Sequence, residues 1–470
     1  MKKIHFVFLI ILFYTLNSCN QNSNNESFIG FWEGPHPENI HKKFYVHVYM
    51  QSDTIKAHAY WTNNNFYESE FQIAELGLYS DSISFYVPGW DCFYKGKMIN
   101  NHIKGGFACA GEPFDTVYLT KNDEISRYLA EALPGCNNPD YFYNYKKPKL
   151  LCDSIEVSGL SNGGVSAFIF SIIPEIIQGQ YGRLNSFLML KNNRLVFEEY
   201  FYGYTYDDLH QIESSSKSVT SLLVGIAKDK GFINDIDEPI YKIFTSYKHL
   251  QTTEYKNITL KHLLTMTAGF SNENDELFQS ENRMDYALNR KMIKKPGKSF
   301  NYDGGSTELL GAVLKEKTGM FANVFAKKYL FEPLGIKNYN WEILKQEGYP
   351  CMAGSLELLP RDMLKIGQMV LNEGRFDHKQ IVSKEWLKES TSFKVPTHIE
   401  NDNYGYQWWN ITLNSNNKPY NCIWANGMGS QFIYIIPELD VVIVTTGYNY
   451  EYDSWAITAG ISKFLYLLDN

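Results

Sequence analysis

Ser214-Ser215-Ser216-Lys217-Ser218-Val219-Thr220-Ser221-Leu222-Leu223-Val224-Gly225-Ile226-Ala227 is the stretch on which the reading of this chain turns. Val219, Leu222, Leu223, Ile226 and Ala227 recur at helical spacing, so a helix with a buried face follows Ser214. Ser214 falls in its first turn, where backbone N–H groups lack intrahelical acceptors and the dipole is positive. Lys217 shares its face. A serine hydroxyl needs a base within hydrogen-bond reach to act as a nucleophile, and a buried lysine can be that base or hand the proton on. The plainer reading is an N-cap serine beside a solvated lysine. The spacing alone is weak: Ser415-Asn416-Asn417-Lys418 repeats it in an Asn-rich loop.

Two stretches further on add weight. Pro296-Gly297-Lys298-Ser299-Phe300-Asn301-Tyr302-Asp303-Gly304-Gly305 precedes a helical pattern at 307–317 that carries Leu309, Leu310 and Val313. Tyr302 is thus expected in a loop at a helix entrance, where a phenol beside a lysine can shuttle protons to a leaving group. Ala425-Asn426-Gly427-Met428-Gly429 precedes a strand pattern at 431–436, and glycine there lets the strand approach a substrate closely. A rival nucleophile, Ser161, sits in Gly159-Leu160-Ser161-Asn162-Gly163, which has the form of a nucleophile elbow. The elbow needs a buried strand before it, and 152–157 is a poor one. A Gly/Ser turn is the expected outcome there.

A Ser-x-x-Lys on a helix, a Tyr loop about 85 residues on and a Gly-rich edge strand, in that order, resemble the serine β-lactamase-like family. That family includes class C β-lactamases, DD-carboxypeptidases, serine esterases and 6-aminohexanoate-dimer hydrolases. The resemblance runs over 184–467 and takes in Leu260-Lys261-His262-Leu263-Leu264-Thr265-Met266-Thr267-Ala268-Gly269 and Phe331-Glu332-Pro333-Leu334-Gly335. It also takes in Arg361-Asp362-Met363, Tyr404-Gly405-Tyr406-Gln407-Trp408-Trp409 and Pro437-Glu438-Leu439-Asp440. It implies an α+β fold, an antiparallel sheet flanked by helices, with Ser214 as acylated nucleophile, Lys217 as its base and Tyr302 as proton shuttle. The oxyanion hole would be the backbone N–H groups of Ser214 and Met428, and no cofactor is implied. Gly304, Asn426, Gly427 and Trp408 are candidate pocket residues, although the pair Trp408-Trp409 in a strand also reads as core. Two positions depart from the family pattern. Gly304 stands where Asn is usual, so a contact to a substrate amide is lost. Ala425 stands where Lys or His is usual, which disfavours a substrate carboxylate unless Arg375 or Lys394 compensates.

Outward from these motifs, 186–190 and 195–200 read as a hairpin and 431–436 and 441–446 as a closing one. Helices between them, at 260–266, 307–317 and 363–371, imply one antiparallel sheet whose first and last strands come from opposite ends of the unit. Residues 28–122 hold short aromatic strands, among them 43–50, 54–61, 82–87 and 116–120, expected to form a lipocalin-like barrel or sandwich with no chemical constellation. A helix at 123–133 and a linker to 149 follow, leaving 150–470 as the hydrolase domain. The 470-residue length is in keeping with about two or three domains. A net charge of −8 with no basic cluster argues against a nucleic-acid partner.

At the N-terminus Lys2 and Lys3 precede an apolar run at 6–16 and then Leu16-Asn17-Ser18-Cys19. Residues 1–18 read as an export signal, too short to span a bilayer. The box resembles that of bacterial lipoproteins, so Cys19 is the expected lipidation site, 19–27 a polar tether, and the address periplasm-facing or cell-surface. Among the other cysteines, proximity pairs Cys92 with Cys109 and Cys136 with Cys152. The 11 histidines include no His-Glu-x-x-His, so zinc is not indicated. The leading expectation is an exported serine hydrolase acting on a small ester, amide or peptide. The alternatives are a DD-carboxypeptidase-type peptidoglycan peptidase and a non-catalytic cell-wall or penicillin-recognising protein.

Overall fold

A computed structural model describes residues 26–35, 42–51, 54–63, 66–88, 91–109, 112–122, 143–160, 164–344, 348–398, 402–450 and 454–469. The expected export signal at 1–18, Cys19, the expected helix at 123–133, Cys136 and Ser161 lie outside these. The chain divides into two compact units, Met1–Ala132 and Leu133–Asn470.

The first unit is a nine-stranded antiparallel sheet, β1 (Gly30–Pro35), β2 (Lys42–Gln51), β3 (Thr54–Asn63), β4 (Phe66–Gln72), β5 (Ala74–Leu78), β6 (Ser82–Val87), β7 (Cys92–Ile99), β8 (His102–Cys109) and β9 (Glu112–Lys121). Its order is β4-β3-β2-β1-β9-β8-β7-β6-β5. The two outermost strands, β4 and β5, are separated in the chain by Ile73 alone. At about 3.5 Å per residue those edges lie within roughly 7 Å of each other, so the sheet curls into a nearly closed barrel. Burial alternates along β6 and β7, as a sheet with one inward face requires. The inner face packs aromatic rings: Phe44 meets Phe107 at 5.0 Å and Phe85 meets Tyr94 at 4.9 Å. Cys92 and Cys109 are cross-strand partners joined by a disulfide. Cys152 is an exposed free thiol.

The second unit begins earlier than the sequence pattern implied. Tyr143 donates to Glu199 (2.6 Å), Tyr145 donates to the Val196 carbonyl (3.0 Å), and Arg361 donates to the Lys149 carbonyl (2.8 Å). Residues 143–149 are therefore bound to this unit rather than a linker. Its sheet comprises β10 (Leu184–Lys191), β11 (Arg194–Tyr200), β12 (Val395–Pro396), β13 (Asn403–Tyr404), β14 (Trp409–Ser415), β15 (Lys418–Gly427), β16 (Gln431–Ile436) and β17 (Val441–Gly447). The order is β11-β10-β17-β16-β15-β14-β13-β12, so the first hairpin sits against the last. The middle strands are buried on both faces. Leu188, Leu190, Ile433, Ile435, Val442 and Val444 point to one core. Their alternates Phe187, Met189, Phe432, Tyr434, Val441 and Ile443 point to the other. Period-two alternation thus feeds two helical layers.

The first layer holds α2 (Ser216–Asp229), α3 (Gly304–Thr318) and α4 (Pro360–Leu371), which pack in the first core. The second holds α1 (Gly164–Ile177) and α5 (Ala456–Phe464). α1 follows the Gly-x-Ser-x-Gly stretch, a helix the sequence pattern did not disclose. It is apolar nearly all round and contains Pro174, so it shows little 3.6-residue contrast. Among the described residues no helix is long and apolar enough to cross a membrane.

Candidate active site

α2 is buried on every side from Ser216 to Ala227, not on one face as its spacing implied. Two of its polar residues bond inward: Ser218 donates to the Gln407 carbonyl (2.7 Å) and Thr220 to that of Ser216 (3.1 Å). A single 3-10 turn, Glu213–Ser215, leads into it. Glu213 has φ +50°, a left-handed conformation that costs a non-glycine residue on the order of 1 kcal/mol or more. Ser216 Oγ donates to the Glu213 carbonyl (2.6 Å) and Tyr450 donates to its carboxylate (2.8 Å), which hold that turn. Ser214 emerges half-buried at the end of the helix.

Lys217 is 4% exposed. Its Nζ donates to Ser214 Oγ (2.8 Å) and to the Ala353 carbonyl (2.7 Å) and lies 5.1 Å from the centre of the Tyr302 ring. Among the described residues no carboxylate pairs with it. Tyr302 comes from the loop before α3, whose start is fixed by Asp303. That carboxylate accepts from Ser306 N (2.7 Å) and forms a buried ion pair with Arg290 (2.5 Å). Phe300, Tyr302, Tyr404 and Trp409 make one aromatic wall, with Tyr302 and Trp409 5.6 Å apart. Burial and the neighbouring Tyr302 and Asp303 push the Tyr404 phenol up, so Tyr404 stays protonated.

The Gly427 turn meets the serine from the other side. A side chain at Gly427 would come within 2.3 Å of the Ile212 carbonyl, so glycine permits that approach. Ser215 Oγ donates to the Gln431 carbonyl (2.7 Å), which ties the turn to the serine segment. Met428 is solvent-exposed and Asn426 half-buried.

A family model described as Beta-lactamase matches residues 184–447, more than half of the 470. The chain belongs to the β-lactamase family. A 6-aminohexanoate-dimer hydrolase from Paenarthrobacter ureafaciens is 22% identical over 55% of this chain and 71% of its own. Among solved structures, a provisionally assigned 6-aminohexanoate-dimer hydrolase from Bacillus anthracis superposes with a TM-score of 0.56 at 19% identity, over 73% of this chain and 94% of that one. The octameric penicillin-binding protein homologue from Pyrococcus abyssi superposes with a TM-score of 0.50 at 20% identity, over 64% and 78%. At these identities the structural likeness is one of fold.

Within this β-lactamase-family domain the remaining expectations divide. Ala425 is wholly buried in the first core, so its position offers no charge. Neither candidate substitute is placed at the serine by any contact: Arg375 donates to Gln380 within its own hairpin (2.9 Å), and Lys394 lies 3.9 Å from Glu389. Trp408 is fully buried in the first core rather than walling a pocket, and Trp409 faces Tyr302 instead. Trp408 lies just before β14, after the left-handed turn at Gln407 (φ +62°), whereas Trp409 opens the strand. At Gly304 a Cβ would stand 2.8 Å from Phe278 and 3.1 Å from Asn274 Oδ1. That oxygen accepts from Gly304 N (2.8 Å), so Asn274 occupies the space a side chain would need. Ser415 and Lys418 pair across the β14–β15 turn, and Ser415 Oγ accepts from Tyr466 N (3.0 Å), a structural role.

Four residues went unread in the sequence. Ala353 supplies the second acceptor to Lys217, and Glu308 holds the Ala353 segment. Asn274 seats Gly304. Gln407, in the quoted Tyr404–Trp409 block, joins Thr307 (2.8 Å) to the Leu263 and Leu264 carbonyls (both 3.1 Å). Only Gln407 had a local signal, a lone amide in an aromatic run.

Proposed function

We propose that this chain is an exported serine hydrolase that cleaves an ester or amide through an acyl-enzyme on Ser214. The observation that carries the reading is Lys217 Nζ at 2.8 Å from Ser214 Oγ, buried and with no carboxylate partner among the described residues. Lys217, acting as the base, takes the Oγ proton as Oγ bonds to the substrate carbonyl carbon. The Ser214 and Met428 N–H groups stabilise the oxyanion. The bond to the leaving group breaks as Tyr302 or Lys217 returns the proton to it. Water, deprotonated by the same pair, then releases the acid and regenerates the serine.

Ala425 and the aromatic wall support a substrate without a carboxylate at that end of the site. Hydrolysis of p-nitrophenyl butyrate and of benzylpenicillin by wild type and Ser214→Ala tests this. The expected outcome is ester turnover lost in the variant and slow acylation by penicillin. Ester turnover unchanged in Ser214→Ala would refute the reading, and rapid penicillin turnover would refute the inference from Ala425. Leu16-Asn17-Ser18-Cys19 supports lipid attachment at Cys19 to a bacterial membrane. Detergent-phase partitioning that Cys19→Ala abolishes is the expected result, and equal aqueous partitioning would end that idea.

A further inference from the structure

Glu308 lies one turn into α3, 1% exposed, among Leu309, Leu310 and Val313. Burying an ionised carboxylate costs several kcal/mol unless donors surround it. Here Oε2 accepts from Met352 N and Oε1 from Ala353 N, both at 3.1 Å, with the Cys351 thiol at 3.6 Å. Burial holds the Glu308 carboxyl above its ordinary range, opposed in part by the two amides and the Arg283 charge. Burial and the Glu308 charge push the Cys351 thiol up to about 12, so it remains a donor. Both carboxylate oxygens receive N–H groups, and a protonated carboxyl would need an acceptor in place of one of them. The ionised form fits.

What this carboxylate holds is the segment that seats the lysine. Ala353 offers its N–H to Glu308 and its C=O to Lys217 Nζ (2.7 Å). The same helix carries Tyr302 in the loop at its start, six residues before Glu308, and the Tyr302 ring stands 5.1 Å from Lys217 Nζ. The geometry points to Glu308 as a positioning residue: by holding the Met352 and Ala353 amides it fixes the carbonyl that aims the Lys217 amine at Ser214. This rests on the reading of Ser214 and Lys217 as the reactive pair.

Glu308→Gln keeps the size but leaves one acceptor oxygen and turns an NH2 toward an N–H. The expected result is a fall of about 10²-fold in kcat for the ester, with KM within about threefold, since misplacement of a catalytic group by about 1 Å costs that much. Fluorophosphonate labelling of Ser214 should slow by a similar factor yet still reach completion. Leu310→Ala, a cavity in the same helix, should lower the melting temperature with kcat retained. Labelling of Glu308→Gln at the wild-type rate would overturn the proposal, as would an equal loss of kcat in Leu310→Ala. Should Glu308→Gln not fold, hydrogen exchange on wild type tests the same hold. The Met352 and Ala353 amides should be protected to the global unfolding limit, and exchange at loop rates would contradict it. Absence of Ser214 labelling in wild type is a separate failure, that of the serine-hydrolase reading itself.

Discussion

Lys217 and Lys365 invite comparison, for both are buried in the first helical layer and both reach a residue three positions earlier. Lys365 Nζ meets the Asp362 carboxylate (2.7 Å) and, more distantly, the Gly335 carbonyl (3.4 Å). Lys217 Nζ meets a hydroxyl and a carbonyl, Ser214 and Ala353. The first arrangement neutralises a buried charge and ties α4 to the Phe331–Gly335 block. The second leaves the amine's partners uncharged, with no ion pair to hold it. Identical spacing on a helix therefore yields an ion pair in one place and, on the reading proposed above, a reactive pair in the other, and the partner's charge distinguishes them.

The largest effects should fall on turnover at the first lysine. Lys217→Met and Ser214→Ala should each lower kcat for an ester by on the order of 10³-fold or more, and the double variant little further, since both disable one step. Lys217→Met should leave the melting temperature unchanged or raised, because it replaces a buried amine that has no carboxylate beside it among the described residues with an apolar side chain. Tyr302→Phe keeps the ring packing, so a loss of about 10²–10⁴-fold would isolate proton transfer. At the second lysine the pattern should invert. Lys365→Met strands the Asp362 carboxylate and should cost about 3–5 kcal/mol in urea unfolding, with kcat unchanged below the new transition.

A smaller effect comes from His210, buried just before the serine turn. Burial, opposed by Asp208, lowers its imidazole from 6.5 to about 4. The unfolded chain binds the extra proton between those values, so stability rises with pH across that window and is lost as pH falls from about 6.5 to about 4. The full contribution is on the order of 3 kcal/mol. The difference in unfolding free energy between wild type and His210→Phe, followed from pH 7.5 to pH 4, should shift by that amount, and a flat difference would contradict it.

Much of this was legible in the chain. The hairpins around 184–200 and 431–447, α2 and the entry to α3 follow from local period and turn chemistry, so local rules found them. The strands of the first unit were legible too, but closure was not, because it depends on β4 and β5 meeting at opposite ends of the order. At the site, Ser214, Lys217 and Tyr302 sit in motifs that declare themselves. Glu308 does not: one acidic residue in an amphipathic helix looks solvated until Met352 and Ala353, 44 and 45 residues on, arrive above it. Asn274 filling the room beside Gly304 is likewise a contact across 30 residues. Trp408 and Trp409 are indistinguishable until the fold buries Trp408 in the first core and sets Trp409 against Tyr302.

The central claim, that Lys217 rather than its buried position activates Ser214, is tested by intact-mass and peptide mapping after fluorophosphonate treatment of wild type, Lys217→Met and Lys365→Met. The account predicts one adduct on Ser214 in wild type and Lys365→Met and next to none in folded Lys217→Met. An adduct on Ser161, or Ser214 labelling of Lys217→Met at the wild-type rate, would contradict it.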